Sequence, residues 1–279
     1  MTTPDDTTPP TPTHTPQDRA YANKPYIPDA EGFTHHWASA AATFRETHEA
    51  TLDIPYGVSR REHYDLFHPA GTPEGLAVFI HGGYWMAFDK STWSHLAAGP
   101  LAHGFAVAVP SYPLCPAVRI ADITTAAGAA IAHAAGEVAG PIHIAGHSAG
   151  GHLASRMACT NTPLPAAVAE RVQRVVSISG VHDLRPLLNV ALNETLRLDH
   201  EEARHESPVL ADPLPVDLVT WVGDGERPQF RRQSRILALM WEGLARSSTY
   251  VEAPDRHHFD VVEDLTDPAS PLTRTLVGL

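Results

Sequence analysis

The 279-residue chain has only two cysteines, Cys115 and Cys159, too few for a disulfide framework. No apolar run approaches the roughly 18 residues that a transmembrane helix needs. The N-terminus has neither the basic nor the apolar stretch of a secretory signal, so a cytoplasmic location and no membrane partner are expected. Positive charge is scarce: 20 Lys and Arg stand against 32 Asp and Glu, for a net charge of −12. That balance excludes non-specific binding to nucleic acid or an anionic membrane, which requires a basic face. Metal-ligand spacings are missing too. The 18 histidines include no His-Glu-x-x-His, and no Cys-x-x-Cys occurs. The adjacent pairs His35-His36 and His257-His258 point to opposite sides of an extended chain. No metal and no cofactor are expected, and the partner expected is a small-molecule substrate.

What is present has a clear order along the chain. Residues 1–20 are rich in threonine and proline and have no apolar periodicity. Such a segment buries too little surface to offset its ordering entropy, which predicts a disordered tail without a catalytic role. A single domain then runs over residues 21–279, long enough for a large core. Within it, short apolar runs recur at Leu76–Ile80, Phe105–Val109, Ile142–Ala145, Val175–Ile178, Leu218–Val222 and Thr249–Val251. Helix-like stretches lie between several of them, at Ala121–Ala135 and Gln229–Ala245. Strands alternating with helices predict an α/β fold: a mostly parallel central sheet with helices on both faces. Nearly continuous apolar strands suit burial on both sides. Ligands bind such sheets at the carboxyl ends of the strands. Three polar motifs fall there: His81-Gly82-Gly83, Ser148, and Gly223–Glu226.

The middle motif is the most informative. Residues 142–152, IHIAGHSAGGH, place Ser148 between Gly146 and Gly150 after a short apolar strand and before a helix. A strand, a tight turn and a helix form the context of a nucleophile elbow. The flanking glycines remove side chains that would collide with the strained serine backbone. A serine hydroxyl needs a base, and the base needs an orienting acid. In the order Ser, acid, His, the base falls near the C-terminus, where His257 and His258 are the candidates. His258 is favoured because it directly precedes Phe259-Asp260-Val261-Val262, which reads as the start of a final helix. Either carboxylate of Gly223-Asp224-Gly225-Glu226 can orient an imidazole. Glu226 is favoured by its spacing from the strand-end glycine, with Asp224 as a turn residue. Backbone amides for an oxyanion are expected from Ala149, directly after the serine, and from Gly82 and Gly83. Tyr84 and Trp85 are expected to form a substrate-pocket wall. Residues 185–215, with four prolines, are expected to cover part of the pocket.

Several segments together now resemble a known family. They are Asp53-Ile54-Pro55-Tyr56-Gly57, Tyr64-Asp65-Leu66-Phe67 with Pro69, His81-Gly82-Gly83-Tyr84-Trp85 with Asp89-Lys90, and Tyr112-Pro113-Leu114-Cys115-Pro116. Gly146 to Ala154, Ser179 to Leu184, Arg232-Gln233-Ser234 and His258-Phe259 add to them. The chain resembles the α/β-hydrolase family over residues 21–279, in its kynurenine formamidase (arylformamidase) and small-esterase branch. The HGGYW segment discriminates, because hormone-sensitive-lipase-like esterases usually carry a third glycine where this chain has Tyr84. The resemblance implies Ser148 as nucleophile, His258 as base, and the Gly82, Gly83 and Ala149 amides as oxyanion donors. It places the acid four residues before the Phe of Pro228-Gln229-Phe230, at Glu226, although many relatives have aspartate there. It implies hydrolysis of N-formyl-L-kynurenine to kynurenine and formate, with a carboxylesterase of short acyl or aryl esters as the alternative. A homodimer would be unsurprising.

Overall fold

Alternate residues of the central strands face opposite sides of one sheet, and both sides are covered. The computed structural model describes residues 15–279. Its strands are β1 (Ala50–Pro55), β2 (His63–Phe67), β3 (Leu76–Ile80), β4 (Ala106–Pro110), β5 (Ile142–His147), β6 (Val172–Ile178), β7 (Asp217–Gly223) and β8 (Ser247–Ala253). They form one sheet in the order β1-β2-β4-β3-β5-β6-β7-β8. From β4 to β8 every pairing is parallel, while β2 runs antiparallel to both neighbours.

The period-2 pattern of the strands divides the core in two. Leu76, Val78, Ile80, Ile142 and Ile144 face one side, under the helices Ile120–Glu137, Ala149–Met157 and Pro228–Trp241. Ala77, Phe79, Ala145, Val176 and Ile178 face the other, under Ala30–Thr47 and Pro271–Val277. Burial on both faces explains why β3, β4 and β5 read as unbroken apolar runs. The edge strand β1 shows no such run because most of its side chains are exposed. Its register slips between Thr51 and Ile54, where Asp53 has a positive φ of 56°.

Two stretches differ from the sequence expectation. Residues 16–20, assigned by composition to the disordered tail, belong to a helix, Pro16–Tyr21. Thr15 and Asp18 close a capping box at its start, and Tyr21 is buried at its end. Residues 1–14 of that tail lie outside the described residues. Phe259–Val262, expected to open the final helix, forms turns that bury Val261 and Val262. A short 3-10 turn follows at Glu263–Thr266, and the last helix begins only at Pro271, beyond Pro268. Proline disfavours helical backbone at the preceding residue, so the helix starts on its far side. Among the described residues no helix is long and apolar enough to cross a membrane.

Candidate active site

The parallel strands bring the ends of β3, β5, β6, β7 and β8 to one edge of the sheet, and the polar motifs gather there. β5 ends at His147 and the next helix begins at Ala149, leaving Ser148 alone to make the turn. Its backbone sits at φ 56° and ψ −117°, a conformation that side-chain-bearing residues rarely adopt. The turn is closed tightly. A Cβ on Gly146 would fall 2.1 Å from the Gly150 carbonyl oxygen, and one on Gly150 would fall 1.9 Å from that of Ile80. Both are clashes with backbone, so the two glycines are sterically required. The Ser148 amide donates to the Ile178 carbonyl at 2.8 Å, tying the turn to β6.

Ser148, His258 and Glu226 are brought together, each no more than 6% exposed. The Ser148 Oγ lies 3.1 Å from His258 Nε2, and His258 Nδ1 lies 2.7 Å from Glu226 Oε2. An ionised carboxylate only accepts, so Nδ1 carries the proton and Nε2 is free to accept from the serine hydroxyl. The second carboxylate oxygen, Oε1, accepts from the Gly223 amide at 2.9 Å and from the Ser179 hydroxyl. Asp224 is exposed and accepts instead from the Asp255 amide at 2.9 Å, in the role of a turn residue. His257 points away: its Nδ1 accepts from the Phe259 and Asp260 amides at 3.2 Å, and its ring packs on Phe33.

Gly82 and Gly83 lie beside the serine. A Cβ on Gly82 would come within 3.0 Å of the Ser148 Cβ. Gly83 takes a φ of 106°, and Tyr84 and Trp85 continue the turn at positive φ. Among the described residues, the Gly82, Gly83 and Ala149 amides have no protein acceptor. Such a set of free donors suits an oxyanion. The loop is held from behind by His81, whose Nδ1 donates to the Gly82 carbonyl at 2.7 Å and whose ring stacks on Tyr112. Burial pushes the His81 pKa down to about 4, so the ring is neutral in that role.

A cavity of about 570 Å³ opens over Ser148. Tyr84 lines it, and its hydroxyl donates to the Tyr21 carbonyl. Trp85 does not line it, contrary to expectation. The tight turn sends successive side chains in different directions, and Trp85 is fully buried in the core against the His152 ring. Residues 185–215 also contribute nothing to this cavity's lining. Glu202 and Glu206 draw that segment onto the Ile120–Glu137 helix instead, through Arg119 and Thr124. The wall comes from the N-terminal part of the chain: Asn23, Lys24, Thr34 and Trp37, joined by Phe88, Trp93 and Phe259.

Three contributors carry little sequence signal of their own. His147 is one: its Nε2 donates to the His258 carbonyl at 2.8 Å, with the two rings 4.7 Å apart. Burial, and then the nearby His258, hold its pKa well below the usual histidine value, so it stays neutral. Ser179 and Asn23 are the others. Position x of Gly-x-Ser-x-Gly is the one available hint for His147; nothing local marks the other two. No group of three or more His, Cys, Asp or Glu among the described residues is arranged to hold a metal ion.

The model of the "Alpha/beta hydrolase family" matches residues 77–277. The chain is 30% identical over 250 residues to a kynurenine formamidase of Salmo salar, covering 83% of this chain and 82% of that one. A kynurenine formamidase of Danio rerio is 25% identical over 250 residues, covering 84% and 83%. Among solved structures, a putative thioesterase from Silicibacter sp. TM1040 superposes with a TM-score of 0.90 at 47% identity, covering 94% of this chain and 99% of that one. An esterase of Pyrobaculum calidifontis shares the fold, with a TM-score of 0.64 at 16% identity over 90% and 93% of the two chains.

Proposed function

The chain belongs to the alpha/beta hydrolase family, and from that footing we propose that it hydrolyses N-formyl-L-kynurenine, an aryl formamide, to kynurenine and formate. The carrying observation is His258, set between Ser148 Oγ at 3.1 Å and Glu226 at 2.7 Å beneath a cavity with aromatic walls. Ser148 Oγ attacks the formyl carbon as His258 Nε2 takes its proton. The tetrahedral oxyanion sits against the Gly82, Gly83 and Ala149 amides. The imidazolium, steadied by Glu226, returns the proton to the aniline nitrogen, and the C–N bond breaks to release the arylamine. Water, deprotonated by His258, then attacks the formyl-serine, and formate leaves with Ser148 restored.

The choice of substrate is supported by the kynurenine formamidase relatives and by the cavity wall, where Trp37, Phe88, Trp93 and Phe259 suit an aryl ring. This reaction belongs to tryptophan breakdown. We assign it to the cytoplasm, in keeping with the two free, buried cysteines. The second reading is a carboxylesterase of short acyl or aryl esters, favoured by the esterase among the structural neighbours. The same residues serve both reactions.

The deciding experiment compares kcat/KM for N-formyl-L-kynurenine and p-nitrophenyl acetate. Preference for the formamide supports the first reading, and ester turnover alone makes the enzyme an esterase. Ser148→Ala should reduce kcat on the order of 10⁶-fold while keeping the fold. Residual activity within tenfold of wild type would remove Ser148 from its role.

A further inference from the structure

The hairpin between β1 and β2 adds no residue to the lining of the cavity over Ser148, yet two of its side chains reach in behind the Gly82-Gly83 loop. The hairpin is tightly closed. The Tyr56 amide donates to the Glu62 carbonyl at 3.0 Å, and the Glu62 carboxylate accepts from the Ser59 amide at 2.6 Å. From this base the Tyr56 hydroxyl donates to the Ser111 carbonyl at 2.6 Å. The half-buried Arg61 guanidinium reaches further: its Nε donates to the Tyr112 carbonyl at 2.8 Å and its Nη2 to the Phe88 carbonyl. Both donors lie on one edge of a rigid planar fork, so a single side chain ties two separate segments together.

Those two segments shape the loop beside Ser148. Phe88 has a φ of 69°, and Gly83, Tyr84 and Trp85 before it have φ values of 106°, 50° and 57°. Left-handed backbone at so many neighbouring positions persists only where surrounding contacts enforce it. Phe88 and Ala87 stand directly against Gly83, where a Cβ would fall 2.8 Å from Phe88 Cδ2 and 2.5 Å from the Ala87 carbonyl oxygen. Tyr112 supports the start of the loop, its hydroxyl donating to the His81 carbonyl at 2.7 Å and its ring stacking on His81. Between these points the Cys115 amide donates to the Trp85 carbonyl at 2.8 Å, and the Lys90 amide to the Ser111 hydroxyl at 2.9 Å. Arg61 bridges the two sides of this brace.

Resting on the oxyanion role proposed above for the Gly82 and Gly83 amides, we infer that Arg61 is a positioning residue for those amides. By holding the Phe88 and Tyr112 carbonyls at once, it keeps Phe88 pressed on Gly83 and His81 braced by Tyr112. The two amides then stay aimed at the oxygen that becomes negative. Arg61 lies outside the cavity lining and touches no substrate, so its effect appears when charge develops on that oxygen.

Two small molecules separate this role from the ordinary shape of the cavity. Phenylacetaldehyde has the outline of an aryl formamide, and a nucleophilic serine adds to its carbonyl, placing a tetrahedral oxygen on the loop amides. Phenylethanol has the same skeleton and cannot be attacked. Wild-type enzyme should bind the aldehyde much more tightly than the alcohol. Arg61→Met should reduce that preference, read as the ratio of the two inhibition constants, by about tenfold. The kcat of the better substrate should fall with it, and KM should change little. Arg61→Lys keeps the charge but cannot span both carbonyls, and should lose nearly as much. Because the readout is a ratio within one protein, a partial loss of folded enzyme leaves it unchanged, and the milder Lys variant serves where Met folds poorly. An unchanged ratio, whether both ligands weaken equally or neither does, would overturn the inference and leave the serine mechanism standing. A Lys variant with the full wild-type ratio would show that charge alone suffices and would overturn the bridge. Wild-type enzyme that binds aldehyde and alcohol alike would overturn the serine mechanism itself, and the inference with it.

Discussion

Glu226 Oε2 lies 2.7 Å from His258 Nδ1, and the other oxygen of the same carboxylate is held by the Gly223 amide and the Ser179 hydroxyl. The carboxylate thus reaches the imidazole already oriented, from a turn whose backbone grips it. Glu226→Gln keeps the shape but can present an N–H to Nδ1, favouring the wrong tautomer. We expect kcat to fall by about 10⁴-fold. Asp224→Asn, at an exposed turn position, should change kcat by no more than about threefold. Steady-state kinetics on both variants checks this, and the reverse ranking would move the orienting role to Asp224.

On the proposed mechanism we expect His147 to act by positioning His258. Its Nε2–H fixes the His258 carbonyl at 2.8 Å and therefore the backbone that carries the proposed base. His147→Phe keeps a ring but removes the donor, and kcat should fall by about tenfold with KM little changed. His147→Gln, which restores a donor near the same place, should recover most of that loss. Equal kcat for the Phe and Gln variants would show that ring packing alone matters.

The glycines of the chain are not equivalent. Gly150→Ala would place its Cβ 1.9 Å from the Ile80 carbonyl oxygen, a backbone atom that cannot step aside. Little folded protein should be recovered. Gly136→Ala, near the end of a helix with nothing within 4 Å of the new Cβ, should stabilise by about 0.5 kcal/mol. Urea unfolding midpoints and soluble yield measure both. A well-folded Gly150→Ala protein would show that the elbow has room that its geometry denies.

Several buried histidines make stability depend on pH. Burial, the largest cause in each case, lowers the pKa of His81 and His152 to about 4 and that of His182 to about 3. The folded state keeps these rings neutral, whereas the unfolded chain protonates them near 6.5. Their contribution is therefore complete above that value and is lost as pH falls through 6.5 toward 4. Each ring withdraws up to about 1.4 kcal/mol per pH unit in that window. Unfolding free energies measured from about pH 7.5 to 4.5 should drop steeply, and His182→Asn should reduce the slope by about one proton. An unchanged slope in that variant would contradict the buried, neutral state of His182.

The elbow and the sheet are legible in the sequence because their causes are local. Gly146, Ser148 and Gly150 stand within five residues, and one turn decides what each must be. The apolar runs of β3 to β7 announce themselves because those strands are buried on both faces. The exposed edge strand β1 has no such pattern to read. Chain order narrows the base to two neighbours, His257 and His258, and the acid to Asp224 or Glu226 within a single turn. Direction then separates the two carboxylates: the turn after Gly223 sends Glu226 inward to His258, while Asp224 meets the Asp255 amide at the surface.

The rest depends on contacts between residues far apart in the chain. Trp85 looks like a wall beside Tyr84 until the positive-φ turn sends it into the core. The helix after Thr15 resembles a tail until Tyr21 finds Phe230 and Gln233. Sequence alone determined which residues can do the chemistry and which strand ends carry them, since backbone sterics and side-chain periodicity act over a few residues. Only the tertiary structure decided where each side chain points and what closes over Ser148, since those depend on partners that only the folded chain brings together.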